Sequence, residues 1–251
     1  MRTDRLHLPG ESALHRAPAE VKIAGAVLLV LAVVATPRDT LWPYGVFAVG
    51  LLGLWAVARI PPRWIGPRLL IELPFLVLAL LLPFAAGEPR TALLGLSLST
   101  AGLWAAWGIV AKGTLGVGIS LTLAATTAVR ELPGGLTRLR APGLVVTIVV
   151  LMLRYVDVIA DEAARMRLAR LARGDDPRSL AQVAATARGV GALFLRSYER
   201  GERVHLAMLS RGFTGAVPDF GTAPAATRDW LVMGAAVLAA AGVCACAWIA
   251  R

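Results

Sequence analysis

Five apolar runs interrupted by proline and glycine set the first limit on this chain. They cover roughly Val21–Ala35, Leu41–Ile60, Leu69–Ala86, Thr91–Ala111 and Trp230–Ala250. A helix crossing the ~30 Å hydrocarbon core perpendicularly needs about 20 residues, so the first run is marginal and the others are adequate. The joints between them ("ATPRDTLWPYG", "RIPPRWIGPR", "FAAGEPR") carry the residues that end helices and turn chains. Composition agrees: 57% of residues are hydrophobic and only 17% charged, against about a quarter charged in a soluble domain. The expected fold is therefore an all-α polytopic membrane protein with about five transmembrane helices.

The basic residues give the orientation. Arg2, Arg5, Arg16 and Lys22 precede or open the first run, and Arg59, Arg63 and Arg68 lie between the second and third. The first and third loops carry Arg38 and Arg90, and the densest basic region follows Lys112. Cytoplasmic loops collect Lys and Arg. This alternation puts the N-terminus and the Lys112–Arg228 region in the cytoplasm of a bacterial-type cell (inner) membrane, with the last span leading out. The organisation expected is a cytoplasmic segment over 1–20, four spans over 21–111, a cytoplasmic or membrane-surface domain over 112–228, and a final span over 229–251. Leu115–Val129 and Leu144–Ala160 are also apolar; crossings there would place Arg130, Glu131, Arg138 and Arg140 outside. They are expected to be helices at the membrane surface. The polar start "MRTDRLHLPGESALHRAPAEVK" lacks the core and cleavage site of a signal peptide.

The net charge of +10 raises nucleic acid as a partner. The basic residues are instead interleaved with membrane segments, and no aromatic platform for bases accompanies them, so nucleic acid is not expected. Cys244 and Cys246 lie in the last apolar run and are expected to pack as small apolar residues. His7, His15 and His205 are scattered without a second ligand at metal spacing, and the first two are expected in a solvated tail.

The informative feature is a charged phrase written twice. "RMRLARLARG" occupies Arg165–Gly174 and "RVHLAMLSRG" occupies Arg203–Gly212, agreeing at Arg, Leu, Ala, Leu, Arg and Gly. From Gly143 to Arg173 nothing breaks a helix, giving one element about 45 Å long. Met152, Val156, Ile159, Ala163, Met166 and Arg170 form a seam along it. Asp161 precedes Arg165, and Glu199 precedes Arg203, each by four residues in the favourable order. Gly174 and Gly212 stop the two helices where a left-handed residue is wanted. Arg173 and Arg211 stand at the tips, mildly favoured by the helix dipole.

One such end is explained by capping alone. Two matched ends suit two equivalent sites on a two-fold symmetric partner. Arginine fits that task because its planar fork binds bidentately and desolvates more easily than lysine. Ala172, Arg173, Gly174, Ser210, Arg211 and Gly212 are the candidate docking tips. Met166 and Ala169 on one helix, and Val204, Ala207 and Met208 on the other, are candidate groove contacts behind them. Arg165, Arg167 and Arg170 could also touch anionic lipid.

With these residues in view the chain resembles the transmembrane T component of energy-coupling factor transporters, within the cobalt-transport group CbiQ. The likeness runs through "HRAPAEVK", "LPFLVLALLLPF" and "KGTLGVGISLTLAATT". It continues in "ELPGGLTRLRAPGLVVTIVVLMLRYVDVIADEAARMRLARLARG" and "LFLRSYERGERVHLAMLSRGFTG". The resemblance implies a non-catalytic scaffold joining two ATP-binding-cassette ATPase subunits to a membrane S component that binds the cargo, cobalt or nickel. Each Ala-Arg-Gly-like signature would enter one ATPase; Ser210 replaces the alanine in the second. A vitamin cargo with the same architecture is the near alternative.

No G-x-x-x-x-G-K-[ST] loop is present, so ATP hydrolysis is not expected of this chain, nor a catalytic residue, cofactor or metal site. A remote alternative is an intramembrane phosphotransferase, suggested faintly by "ARLARGDD". That chemistry needs acids converging on one face, whereas Asp175 and Asp176 are adjacent beyond the helix stop.

Overall fold

A computed structural model describes residues 6–85, 90–93, 96–174, 181–215 and 224–250. The protein is an all-α polytopic membrane protein whose only described strands form one short hairpin. The described residues separate into two compact units, one within 6–135 and 224–250, the other within 136–215.

The larger unit begins with helix α1 (Ala13–Arg16), then α2 (Ala19–Ala35) and α3 (Trp42–Ala58). A broken helix follows: α4 (Pro62–Leu69), a 3-10 turn (Leu70–Glu72) and α5 (Leu73–Ala85). Strands β1 (Arg90–Leu93) and β2 (Leu96–Ser99) pair antiparallel, Arg90 opposite Ser99, and lead into α6 (Thr100–Thr126). The chain passes into the smaller unit within α7 (Leu132–Arg138), after Gly135, and α10 (Thr227–Ile249) belongs to the larger unit again. Each of the five expected spans contains a helix. Pro62–Phe84, Thr100–Thr126, Gly143–Ala172 and Thr227–Ile249 are long and apolar enough to cross a membrane; Trp42–Ala58 is a shorter apolar helix. Ala19–Ala35, at 17 residues, is equally short.

The fourth expected span is displaced. Within its first part, residues 91–93 and 96–99 are strand rather than helix, and the helix runs on through Lys112 to Thr126. Leu115–Thr126, expected as a separate surface helix, is the second half of α6. The charge at residue 112 does not end the helix because Lys112 Nζ reaches the Val34 carbonyl of α2 at 2.7 Å. Glycines on the same helix admit close neighbours. A side chain at Gly118 would meet Leu51 of α3 at 2.5 Å. At Gly113 a Cβ would meet the buried Glu72 carboxylate, which accepts a bond from Thr114 Oγ1 at 2.9 Å.

The core follows from these approaches. Val33, Tyr44, Leu51, Leu115 and Ile119 cluster between α2, α3 and α6. Ala58, Ile60, Ile65 and Ala125 form a second cluster at the other end. Trp55 donates its indole N–H to Thr122 Oγ1 at 2.8 Å, and Thr122 in turn donates to the Gly118 carbonyl. The outward faces stay apolar: Val49, Leu80 and Leu238 are at least 70% exposed. Such a surface is stable against lipid, where the driving force between helices is packing and not exclusion from water. Cys244 is buried and Cys246 exposed, both as free thiols.

The segment before α1 is not a solvated tail. The Leu8 N–H donates to the Ala125 carbonyl at 2.9 Å. His15 donates from Nε2 to the Leu8 carbonyl at 3.0 Å, and its Nδ1 lies 2.7 Å from Ser12 Oγ. A carbonyl only accepts, so the neutral ring carries its proton on Nε2. Burial lowers the His15 pKa; the bond to Leu8 opposes this, while Lys22 and His7 add to the lowering.

Two outcomes are expected. Gly118→Leu should destabilise the detergent-solubilised protein by about 1–3 kcal/mol through overpacking. Gly116→Leu, at a position with open space, should leave the thermal midpoint unchanged, and equal effects would contradict the packing described. For His15, the unfolded chain binds the proton at higher pH than the folded one. The segment's stability should thus be full above about pH 6.5 and fall as pH drops below it. Proteolysis between residues 6 and 16 as a function of pH measures this, and His15→Gln should flatten the profile.

Candidate functional site

The smaller unit is built on two long helices, α8 (Gly143–Ala172) and α9 (Ala181–Leu209). Helix α8 runs unbroken for 30 residues as the sequence requires, from Pro142 as its N-cap. Its contacts with α9 fix an antiparallel pair. Arg170 Nη1 donates to Thr186 Oγ1 at 2.9 Å. Met166 Cε stands 3.6 Å from where a Cβ on Gly189 would lie. Further along, Glu162 of α8 accepts from Arg196 and Arg200 of α9, both at 3.2 Å. Positions descending on one helix therefore meet positions ascending on the other.

The Glu162 clamp was not legible beforehand. Its side chain is 11% exposed, whereas those of Arg196 and Arg200 are 61% and 33% exposed. Charge-assisted bonds of this kind are stronger than neutral ones, and two guanidiniums on one carboxylate hold α9 by points one helical turn apart. The only signal in the sequence was the four-residue spacing of Arg196 and Arg200 on a helix. Within the repeat, Glu199 and Arg203 pair at 4.0 Å with both side chains exposed. Asp161 and Arg165 form no such pair.

The two copies of the phrase end in the same backbone structure. The Arg173 N–H bonds the Arg170 carbonyl at 2.9 Å, and the Gly174 N–H bonds Leu171 at 3.1 Å. Thirty-eight positions later the Arg211 N–H bonds Met208 at 3.1 Å, and the Gly212 N–H bonds Leu209 at 3.0 Å. Gly174 and Gly212 have φ of 81° and 83°. At the second end the Phe213 N–H also closes onto the Met208 carbonyl at 3.0 Å, the paired closure of a glycine-terminated helix. Helix α8 stops at Ala172 with Arg173 as its cap, and α9 stops at Leu209, one or two residues before the expected tips. Ala172, Arg173, Ser210 and Arg211 are all exposed.

Antiparallel pairing separates the tips. Phe213 and Leu144 line one groove, so the Arg211 end of α9 lies at the start of α8 while Arg173 lies at its finish. At 1.5 Å per residue the tips are on the order of 40 Å apart. The groove has a volume of about 360 Å³. Tyr155 and Ile159 line it from α8, and Val204 and Met208 from α9. These last two candidate groove contacts therefore face one depression. Met166 packs against α9 at Gly189, and Ala169 and Ala207 are exposed. Leu144, Ile148 and Met152 leave more than half of their surface uncovered.

No three His, Cys, Asp or Glu side chains gather at metal-binding distance among the described residues. Asp175 and Asp176 lie outside the described residues.

Comparison with known proteins gives a consistent result. The family model described as cobalt transport protein, CbiQ, matches residues 10–220. The cobalt transport protein CbiQ of Rhodobacter capsulatus is 30% identical over 234 residues, covering 90% of this chain and 92% of that protein. A protein of Methanocorpusculum labreanum, named as a fused cobalt transport protein CbiMQ, is 24% identical over 214 residues. That match covers 82% of this chain and 36% of the fusion.

The clamp gives a testable expectation. Glu162→Ala should speed amide hydrogen exchange near residues 159–163 and 196–200 together. Arg200→Ala should do so more than Arg196→Ala, because Arg200 is the less exposed. Exchange rising on one helix only would mean that the clamp does not tie the pair.

Proposed function

The chain belongs to the CbiQ family of cobalt transport proteins, and from that premise we propose that it is the transmembrane coupling subunit of an energy-coupling factor importer for cobalt. In this role it hydrolyses nothing itself. Two ATP-binding-cassette subunits receive its helix tips on the cytoplasmic side, and a separate membrane subunit binds the cargo.

The observation that carries this proposal is the pair of matched, exposed arginine ends on opposite ends of one antiparallel helix pair. An ATPase pair offers two equivalent sites related by a two-fold axis. A chain without internal symmetry can meet both only by presenting the same motif twice, well separated. Each tip combines a guanidinium, which makes bidentate bonds to a carboxylate, with glycine, which lets backbone approach closely. The clamp of Glu162 by Arg196 and Arg200 makes α8 and α9 one lever, so closure of the ATPases moves both tips together. The uncovered apolar residues at the start of α8, Leu144, Ile148 and Met152, suit a membrane partner or lipid better than water. The cargo-binding subunit is proposed to cover them. In this reading the N-terminus and the α8–α9 unit face the cytoplasm, which the distribution of Lys and Arg supports.

Co-purification with the ATPase subunits tests the proposal. Arg173→Glu and Arg211→Glu should each weaken ATPase retention at least about tenfold, since an interfacial arginine lost from its pocket costs roughly 2–5 kcal/mol. The double variant should retain none, with membrane insertion equal throughout. A double variant that keeps its ATPases as well as the parent chain would mean the repeat is only two well-capped helices.

A further inference from the structure

Two charged residues of the "HRAPAEVK" segment, Glu20 and Lys22, are buried in the first turn of α2, at 3% and 5% exposure. Neither serves the helix tips. Lys22 Nζ donates to the Thr126 carbonyl at the end of α6, at 2.8 Å. Glu20 Oε1 accepts the Ala225 N–H at 2.8 Å, across 205 positions of sequence. Ala225 lies just before α10, where the described chain resumes in the larger unit. The chain leaves the larger unit after Gly135. A Cβ at Gly135 would stand 3.1 Å from the Glu20 nitrogen and 3.2 Å from the Ala19 carbonyl carbon. Gly135 thus lies against the backbone of the same turn that holds Ala225.

Gly135 and Ala225, both in the larger unit, therefore meet one turn of α2, Gly135 through backbone and Ala225 through the Glu20 carboxylate. We propose that Glu20 is a positioning residue for transport: its carboxylate ties the chain just before α10 to the turn of α2 on which Gly135 already rests, so that movement of the α8–α9 unit is delivered to a single membrane helix. The carboxylate suits this because a charged acceptor on a backbone N–H is short and strong when buried. The negative charge also sits at a helix N-terminus, where the helix dipole favours it. Tethering by a side chain to a backbone donor holds this segment with any residue at 225 except proline. The glycine at 135 supplies the contact that no side chain could make. This inference rests on the coupling-subunit proposal.

The test uses the assembled transporter in proteoliposomes, with Co²⁺ uptake and ATP hydrolysis measured in the same vesicles. Glu20→Ala should keep its ATPases and hydrolyse ATP within about twofold of the parent, while Co²⁺ taken up per ATP falls about tenfold. Glu20→Gln retains an oxygen acceptor for the Ala225 N–H and should recover most of the ratio. Ala225→Pro removes the donor, leaves Glu20 in place, and should reproduce Glu20→Ala. A merely structural role would lower insertion, hydrolysis and uptake in parallel; an unchanged ratio overturns the proposal. If Glu20→Ala fails to insert, the ratio in Ala225→Pro decides in the same way. Failure of the coupling-subunit proposal is separately visible, since the parent chain would then retain no ATPase.

Discussion

Inside a bilayer every backbone N–H and C=O must find its partner within the protein, because no water is there to take it. That requirement shapes this molecule. It makes the membrane unit a bundle of helices and confines charged side chains to places where they can be paid back by a carbonyl or a carboxylate. Lys112 reaches the Val34 carbonyl, Lys22 the Thr126 carbonyl, and Glu20 an amide before α10. Each joins segments distant in sequence, and two of them sit at the first turn of α2. The polar groups that lipid makes costly are thus the ones that specify how the helices are tied.

In the α8–α9 unit the same logic appears with a different balance. Glu162 holds two arginines at once, and Arg170 and Met166 extend the contact toward Thr186 and Gly189. Toward Leu144 and Phe213 the helices leave a groove. The pair is therefore tied along part of its length and open elsewhere, with long exposed ends.

Much of this was readable from sequence. The apolar runs gave the helices, and the glycine stops gave both ends of the repeated phrase, because φ near +80° is where glycine is favoured. Gly143–Ala172 emerged as one uninterrupted helix. The misjudged segment was Thr91–Val129. An apolar run carries no label separating strand from helix, so the hairpin at Arg90–Ser99 was hidden. Lys112 reads in sequence as the end of a span because its carbonyl partner lies on another helix. Glu162, Arg196 and Arg200 were invisible for the same reason: nothing local shows which of many charges face each other. His15, too, carries no local sign of its bonds to Leu8 and Ser12.

The central claim is that the two arginine ends serve two separate partner chains at once. Photo-cross-linking residues placed at positions 173 and 211 of one chain, in the assembled transporter, test it directly. The account predicts a product in which one copy of this protein carries two ATPase polypeptides, one through each position. Cross-links from both positions to a single ATPase polypeptide, or to none, would contradict it.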